Sequence, residues 1–422
     1  MACLINWIAV VILVLLGFVS GQVEVAKDDN IEPFALLCRI YNVAKNPPIS
    51  YVDLEEPLEI VREIDALNIS LLEEKRHDEK EDVGNHSEAQ VKPIVTREAA
   101  LAQLSLNQIT RRTHKIWEEI KKENVEEKIE KAKDEFHKVI FGENGNESDL
   151  EQSALKGVNG RADACGDPGK GSRGYSAGKN LVVDFFCLCV RRTDEGGINQ
   201  VCGFYVGIKD GQLGWNESEP MGSSTMWAAI KGGCGKHIQR HPKSTAEARH
   251  ILDQFLKHLK TGGVYRWGSK DKVEGSDRKA GMLGTGVGKN ENNGNGPVCN
   301  GKKGKNGQPP GGICVYYGAE SNSWETNIPW LKPFKTALAS VDAVNNQTAS
   351  IQRVIKKLQM LQHRAEEIYE TAKVMSEIHS PVVLTAFQNA SGNLTAYNTT
   401  RTRSYSHRPN TYFMPLLVLL LL

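Results

Sequence analysis

Eight apolar residues near the end of the chain follow one another at spacings that alternate between three and four. They are Ile351, Val354, Leu358, Leu361, Ala365, Ile368, Ala372 and Met375. This heptad repeat places the eight side chains on one narrow face of an α-helix. Because so narrow an apolar stripe must be covered along its whole length, the repeat requires a partner helix.

A second region, Arg97 to Ile140, contains neither glycine nor proline and is the natural partner. Its apolar residues Val125, Ile129, Ala132, Phe136 and Val139 also follow heptad spacing. At a rise of about 1.5 Å per residue, helices over about 97–140 and 334–378 would each be roughly 65 Å long. The matched lengths favour an antiparallel coiled-coil hairpin. The alternative is two separate amphipathic helices on a globular core.

The segment of about 158–330 between these helices has a different composition. It holds most of the 39 glycines and seven of the eight cysteines that follow Gly21. Apolar runs at Leu181–Val190 and Ile313–Gly318 are expected to be strands or buried loops, and Thr245–Lys260 a helix. The stretch Glu24–His86 is acidic and mixed, with a helix expected at 33–44. The sequence therefore predicts a mainly α fold, in which a helical hairpin rod carries an inserted disulfide-rich, glycine-rich α+β head lobe.

Both ends of the chain indicate export. The apolar run Ile5–Phe18, followed by Val19-Ser20-Gly21, is typical of a signal peptide cleaved before Gln22, and an uncleaved N-terminal anchor is the alternative. At the other end, Pro415–Leu422 is apolar but far shorter than the roughly 20 residues that span a bilayer. A polar spacer before such a tail is the signal for a glycosylphosphatidylinositol (GPI) anchor.

Attachment of this lipid needs three small residues and then a spacer of about 8–12 residues. Asn398-Thr399-Thr400 is followed by an 11-residue spacer, so we expect attachment at Asn398. Ser391 is chemically as good but leaves 18 residues before the tail.

The cysteines and the glycosylation motifs agree with export. Of the nine cysteines, Cys3 would leave with the signal peptide. The remaining eight predict up to four disulfides in an oxidising compartment, without fixing their pairing. They are Cys38, Cys165, Cys187, Cys189, Cys202, Cys234, Cys299 and Cys314. One local pair is expected, Cys299 with Cys314, because the loop between them has no core of its own; closing it is worth about 3 kcal/mol. The Asn-x-Ser/Thr sequons that are candidates for N-glycosylation are Asn68, Asn85, Asn146, Asn216, Asn346, Asn389 and Asn393.

Several stretches look like catalytic or ligand-binding motifs but lack the required context. Gly169, Gly171 and Gly174 match G-x-G-x-x-G, and Gly174 to Gly178 matches the G-x-S-x-G of hydrolases. Both motifs need a strand before and a helix after. Here loop residues precede them and the apolar run at 181–190 follows, so a solvated glycine loop is the simpler interpretation.

Two further motifs fail on composition. "GMLGTGVGKN" resembles a phosphate-binding loop, but Leu283 and Asn290 stand where a glycine and a hydroxyl are required. Cys234, His237 and His241 could bind zinc, although a disulfide at Cys234 is favoured in an exported chain. With 52 basic and 51 acidic residues, nothing in the net charge requires nucleic acid as a partner. We therefore expect no catalytic residue, no cofactor and no metal.

Together these features resemble the variant surface glycoproteins of African trypanosomes, in particular their type-B N-terminal domain. The stretches that carry the resemblance are "FALLCRIYNVAK", "KNLVVDFFCLCV", "GSSTMWAAIKGGCGKHIQRHPKSTAEARHILDQFLKHL" and "NIPWLKPFKTALASVD", and it covers most of Ile31–Ile378. It implies a homodimer of helical-hairpin rods, each with a cysteine-rich lobe. Such dimers are held on the membrane by a GPI lipid in a dense, antigenically variable coat that evades host antibodies.

The resemblance also divides the chain. It implies a signal peptide (1–21), an N-terminal domain (22–380), a glycosylated linker (381–398) and an anchor signal that is removed (399–422). Many members carry a separate cysteine-rich C-terminal domain, whereas no cysteine follows Cys314 here. The alternative function is a surface receptor that binds a host protein on the same helical scaffold. Abundance separates the two, because a coat protein dominates the cell surface and a receptor is scarce.

Overall fold

The computed structural model describes residues 23–81, 97–194, 196–207, 213–237, 240–269, 272–288, 297–303, 310–320 and 323–378. The chain forms two compact units. Unit 1 consists of Met1–Glu59 with Lys115–Leu358, and unit 2 of Ile60–His114 with Gln359–Leu422.

Helices dominate the described residues. They are α1 (Ile31–Lys45), α2 (Glu55–Glu81), α3 (Arg97–Lys122), α4 (Val125–Phe141), α5 (Arg161–Cys165), α6 (Leu181–Cys189), α7 (Ser223–His237), α8 (Thr245–Thr261), α9 (Trp324–Asn327) and α10 (Leu331–Ile378). The helix predicted at 33–44 is α1, and the helix predicted at 245–260 is α8. Both predictions are confirmed.

A four-stranded sheet and two small hairpins lie in unit 1. The strands are β1 (Gly166–Asp167), β2 (Ser172–Arg173), β3 (Gly214–Trp215), β4 (Pro220–Met221), β5 (Gly263–Ser269), β6 (Lys272–Lys279), β7 (Met282–Gly288) and β8 (Ile313–Tyr316). The sheet has the order β6-β5-β7-β8, with β5 and β7 parallel and the other two pairs antiparallel. The run Ile313–Gly318, expected to be a strand or a buried loop, forms the strand β8 over Ile313–Tyr316.

Helix α1 forms the centre of the core of unit 1. It contacts α4, α6, α7 and α8. The Phe34 ring meets that of Phe185 edge-on at 5.6 Å, and the Tyr41 ring meets that of Trp227 at 5.7 Å. Large aromatic side chains bury much apolar surface in such edge-to-face pairs, so this cluster accounts for a large part of the apolar packing of the unit.

The long helix predicted over 97–140 is interrupted. Helix α3 ends at Lys122 and α4 begins at Val125, because Asn124 adopts a left-handed backbone conformation with φ of 46°. Asparagine tolerates this conformation better than most residues. The heptad positions within α4 are all buried, as the spacing predicted: Val125, Ile129, Ala132, Phe136 and Val139.

Within unit 1, helix α4 packs against the beginning of α10. The Phe136 and Phe334 rings lie 5.8 Å apart, and Gln347 Nε2 donates to Glu123 Oε2 at 3.0 Å, beside the start of α4. The residue numbers fall along one helix as they rise along the other. These two segments therefore run antiparallel.

The expected strand or buried loop at Leu181–Val190 is instead the helix α6. Its N-cap is Asn180, whose side chain accepts a hydrogen bond from Val183 N at 2.9 Å. Every residue of α6 is buried, so the run shows neither helical nor strand periodicity. A short apolar run buried on all sides cannot be assigned from its pattern alone, which explains the wrong prediction.

Unit 2 contains a third helical segment that the sequence did not predict. In α2, Asp65 lies 3.0 Å from His114 Nε2 of α3, and Asn68 Nδ2 donates to Asn107 Oδ1 at 3.1 Å. On α10, Gln362 donates to Glu63 of α2. Helix α2 therefore makes polar contacts with both helices that were expected to pair with each other.

The heptad stripe of α10 is covered unevenly. Ile351, Leu358, Ala365 and Ala372, which lie seven residues apart, are buried. Val354, Leu361 and Ile368 are half-buried, and Met375 is exposed. The eight predicted positions thus form two rows of four. The row that begins at Ile351 is buried, and the row that begins at Val354 is half-buried or exposed.

Candidate functional site: the disulfide-linked lobe

Four disulfides join the eight cysteines that follow Gly21, all of which lie in unit 1. Cys38–Cys234 links α1 to α7, and Cys165–Cys187 links the end of α5 to α6. Cys189–Cys202 ties the end of α6 to the loop that follows it, and Cys299–Cys314 closes the loop before β8. The expected local pair is therefore present. The other three pairings could not be chosen from the sequence.

The N-cap residue of α1 reinforces these covalent links. Asn30 is fully buried, and its Nδ2 donates to Leu188 O at 2.9 Å and to Ile313 O at 2.8 Å. One amide thus bridges the disulfide-bearing helix α6 and strand β8. Both N–H groups of this buried amide have acceptors, as buried donors usually do, whereas its Oδ1 has no hydrogen-bond partner among the described residues.

Asp184 on α6 is a fully buried carboxylate of unit 1. Asp184 Oδ2 accepts from Tyr317 OH at 2.9 Å and from Trp330 Nε1 at 2.8 Å, and Oδ1 accepts from Gly178 N at 2.8 Å. Burial nevertheless raises the pKa of Asp184 to about 7, because desolvation disfavours the charged form. Sequence reasoning missed this cluster. A single acidic residue inside the apolar run "LVVDFFCLCV" was the available signal.

Two buried arginines form a second polar cluster. Arg192 makes a bidentate contact with Asp194, at 2.7 and 2.9 Å, and also donates to Glu217 at 2.6 Å. Arg161 donates to Cys187 O at 3.1 Å and lies 5.5 Å from the ring of Trp215. Burial and the neighbouring Arg192 lower the pKa of Arg161 to about 9. These contacts join α5 to α6, and the segment after α6 to the β3–β4 turn.

The elements around the hydrolase-like stretch differ from the prediction. The short strand β2 precedes the stretch and the helix α6 follows it, which is the order that the motif requires. Ser176 is nevertheless fully buried. Within the part of the chain that the structure describes, its Oγ has no hydrogen-bond partner. A serine nucleophile needs an adjacent base and access to substrate. Ser176 therefore lacks the surroundings of a nucleophile.

The residues of the other ligand-like motifs also make structural contacts. Cys234 is bonded to Cys38, His237 packs its ring 5.6 Å from that of Phe34, and His241 Nδ1 lies 2.8 Å from Asn42 Oδ1. Among the described residues, no group of three His, Cys, Asp or Glu side chains is placed to hold a metal. In "GMLGTGVG", Gly284, Gly286 and Gly288 belong to the buried strand β7, and Gly281 is a buried turn residue before it, so a phosphate could not reach them.

The structure describes four of the predicted glycosylation sites. Asn146 and Asn346 are exposed, the former in the loop after α4 and the latter on α10, while Asn68 on α2 and Asn216 in the β3–β4 turn are half-buried. The sites outside the described residues are Asn85, Asn389, Asn393 and the anchor sites Asn398 and Ser391.

The chain matches one family model. That model is described as the trypanosomal VSG domain, where VSG stands for variant surface glycoprotein, and it matches residues 12–98 and 73–360. None of the curated proteins matches the chain.

Proposed function

Because the chain belongs to the trypanosomal VSG domain family, we propose that it is a GPI-anchored coat glycoprotein that shields the parasite from host antibodies. The family is one of surface coat proteins and not of enzymes. The family match over most of the chain is the observation that carries the proposal. Burial of the hydrolase-like Ser176 and of strand β7 supports it, since these motifs serve packing.

The proposed architecture is a homodimer of helical-hairpin rods with head lobes, formed by the domain 22–380. The antiparallel packing of α4 on α10 supports the hairpin. Support for a partner subunit comes from large apolar side chains of unit 2 that stay exposed. They are Ile69, Leu72, Leu101, Leu104, Met360, Val374, Met375 and Ile378.

Attachment to the membrane is proposed to depend on a lipid. In the part of the chain that the structure describes, no helix has the length and hydropathy of a membrane span. Export would remove 1–21, and exchange of 399–422 for the lipid would leave Asn398 as the last residue. The four disulfides support passage through an oxidising compartment.

Quantitative surface proteomics before and after phospholipase treatment tests this function. A coat protein should dominate the surface proteins and be released by the phospholipase. A scarce surface protein that binds a host protein would instead be a receptor. Recovery of peptides beyond Pro415 from mature protein would contradict the lipid anchor.

A further inference from the structure

Two of the glycosylation motifs have opposite surroundings. Asn146 lies on an exposed loop between α4 and α5, whereas Asn68 lies within α2 and faces α3. Both are Asn-x-Ser sequences, so the motif itself does not distinguish them. Their hydrogen bonds do.

Among the described residues, the side chain of Asn146 holds the loop through its oxygen alone. Oδ1 accepts from Ser148 Oγ and from Asp149 N, each at 2.9 Å. The backbone is fixed as well, because Asn146 N donates to Ser153 Oγ at 3.2 Å. The loop fold therefore does not depend on Nδ2, the atom to which a glycan is joined.

Asn68 uses both ends of its amide to hold two helices together. Nδ2 donates to Asn107 Oδ1 at 3.1 Å, and Oδ1 accepts from Gln103 Nε2 at 2.6 Å. Gln103 is itself buried. A sugar on Nδ2 would replace one of its two hydrogens and press a bulky polar ring toward α3.

We propose that Asn146 carries an N-linked glycan and that Asn68 is unmodified in the folded protein. This rests on the proposed export of the chain. In the transfer, Asn146 Nδ2 forms a bond to the anomeric carbon of an oligosaccharide donor linked to a lipid pyrophosphate. The bond from that carbon to the pyrophosphate breaks, the lipid pyrophosphate leaves, and the amide nitrogen loses a proton. The glycan covers the loop and the neighbouring ion pair of Glu147 with Lys231, and so hides them from antibodies.

Site mapping on the protein purified from trypanosomes tests the assignment. Enzymatic removal of N-glycans in ¹⁸O-labelled water converts each glycosylated asparagine to a labelled aspartate, which peptide mass spectrometry locates. We expect label at Asn146 and none at Asn68. In cells that express variants, Asn146→Gln and Ser148→Ala should each lose one glycan from the intact mass. Ser148→Thr, which keeps the hydroxyl, should retain it.

The outcomes separate this inference from the proposed function. Unlabelled Asn146 together with label at Asn216 or Asn346 would overturn the inference and leave the exported glycoprotein intact. Label at Asn68 would overturn its second half. A protein that keeps residues 5–18 and carries no N-glycan at all would contradict both the inference and the proposed export.

Discussion

The two units hold their helices together by different means. The described residues of unit 1 carry all four disulfides and an aromatic core, and large charged side chains such as Arg161 and Arg192 lie buried there with specific contacts. In unit 2, buried apolar residues such as Ile64 and Leu106 and polar pairs such as Asp65 with His114 join the helices, while many other large apolar side chains remain exposed. Unit 1 is thus fixed mainly by its own covalent links and packing, and unit 2 leaves large apolar side chains exposed.

Removal of the disulfide that closes the longest loop should have the largest effect on the free energy of unfolding. The effect should be confined to unit 1. Cys38→Ser combined with Cys234→Ser opens a link between residues 196 positions apart, which is worth about 5 kcal/mol in the chain-entropy model. The matched double variant at Cys299 and Cys314, with a separation of 15, should lose about 3 kcal/mol.

Urea denaturation measures both losses. Hydrogen exchange at the amides of Gln103 to Asn107 in unit 2 serves as the internal control and should be unchanged. Equal losses in the two double variants, or faster exchange in unit 2, would contradict this separation.

The next prediction compares a buried and a half-buried heptad position of α10. Leu358→Ala removes a fully buried side chain and should cost about 2–5 kcal/mol of unfolding free energy. Leu361→Ala, at a half-buried position, should cost less because less apolar area is lost. Urea denaturation of the isolated protein checks this order. If the two costs are equal, Leu361 is covered as completely as Leu358, which a second copy of the chain would explain.

A pH-dependent effect is expected from the carboxylate of unit 1. The folded-state pKa of Asp184 is raised to about 7, above the ordinary value of about 4. Between these values the folded protein binds more protons than the unfolded chain, so this group makes stability fall as pH rises from about 4 to about 7. Asp184→Asn removes this titration and leaves one of three donors unpaired, at a cost of about 1–3 kcal/mol.

Thermal unfolding from pH 4 to 8 compares the two proteins. The advantage of the wild-type protein over the Asp184→Asn variant should shrink across this range. Parallel curves would show that Asp184 does not titrate there.

The smallest effect concerns the polar helix contacts of unit 2. Asn107→Ala removes the acceptor of Asn68 Nδ2 and should cost about 0.5–1.5 kcal/mol. The exposed i,i+3 pair of Lys121 with Glu118 offers a control, since Lys121→Ala should change stability by less than about 0.5 kcal/mol. Equal costs in urea denaturation would mean that the amide contact contributes no more than a surface ion pair.

How much the sequence revealed depended on whether an element has one apolar face. Helix α4 shows its buried heptad positions in the sequence because its other faces are polar. Helix α6 is buried all round, so its residues carry no period and its identity was missed. Helix α2 was missed for a different reason: acidic residues dominate its composition, although Ile60, Ile64 and Leu71 are spaced as one helix face and are buried.

By itself, the sequence determined the local Cys299–Cys314 pair and the helical character of α4, α8 and α10. These follow from short-range periodicity and chain chemistry. The tertiary structure alone decided that Cys38 meets Cys234, that Asp184 is buried among donors, and that Asn68 is tied to α3 while Asn146 faces solvent. Each of these depends on which surfaces meet after folding, and residues far apart in the chain carry no local record of that meeting.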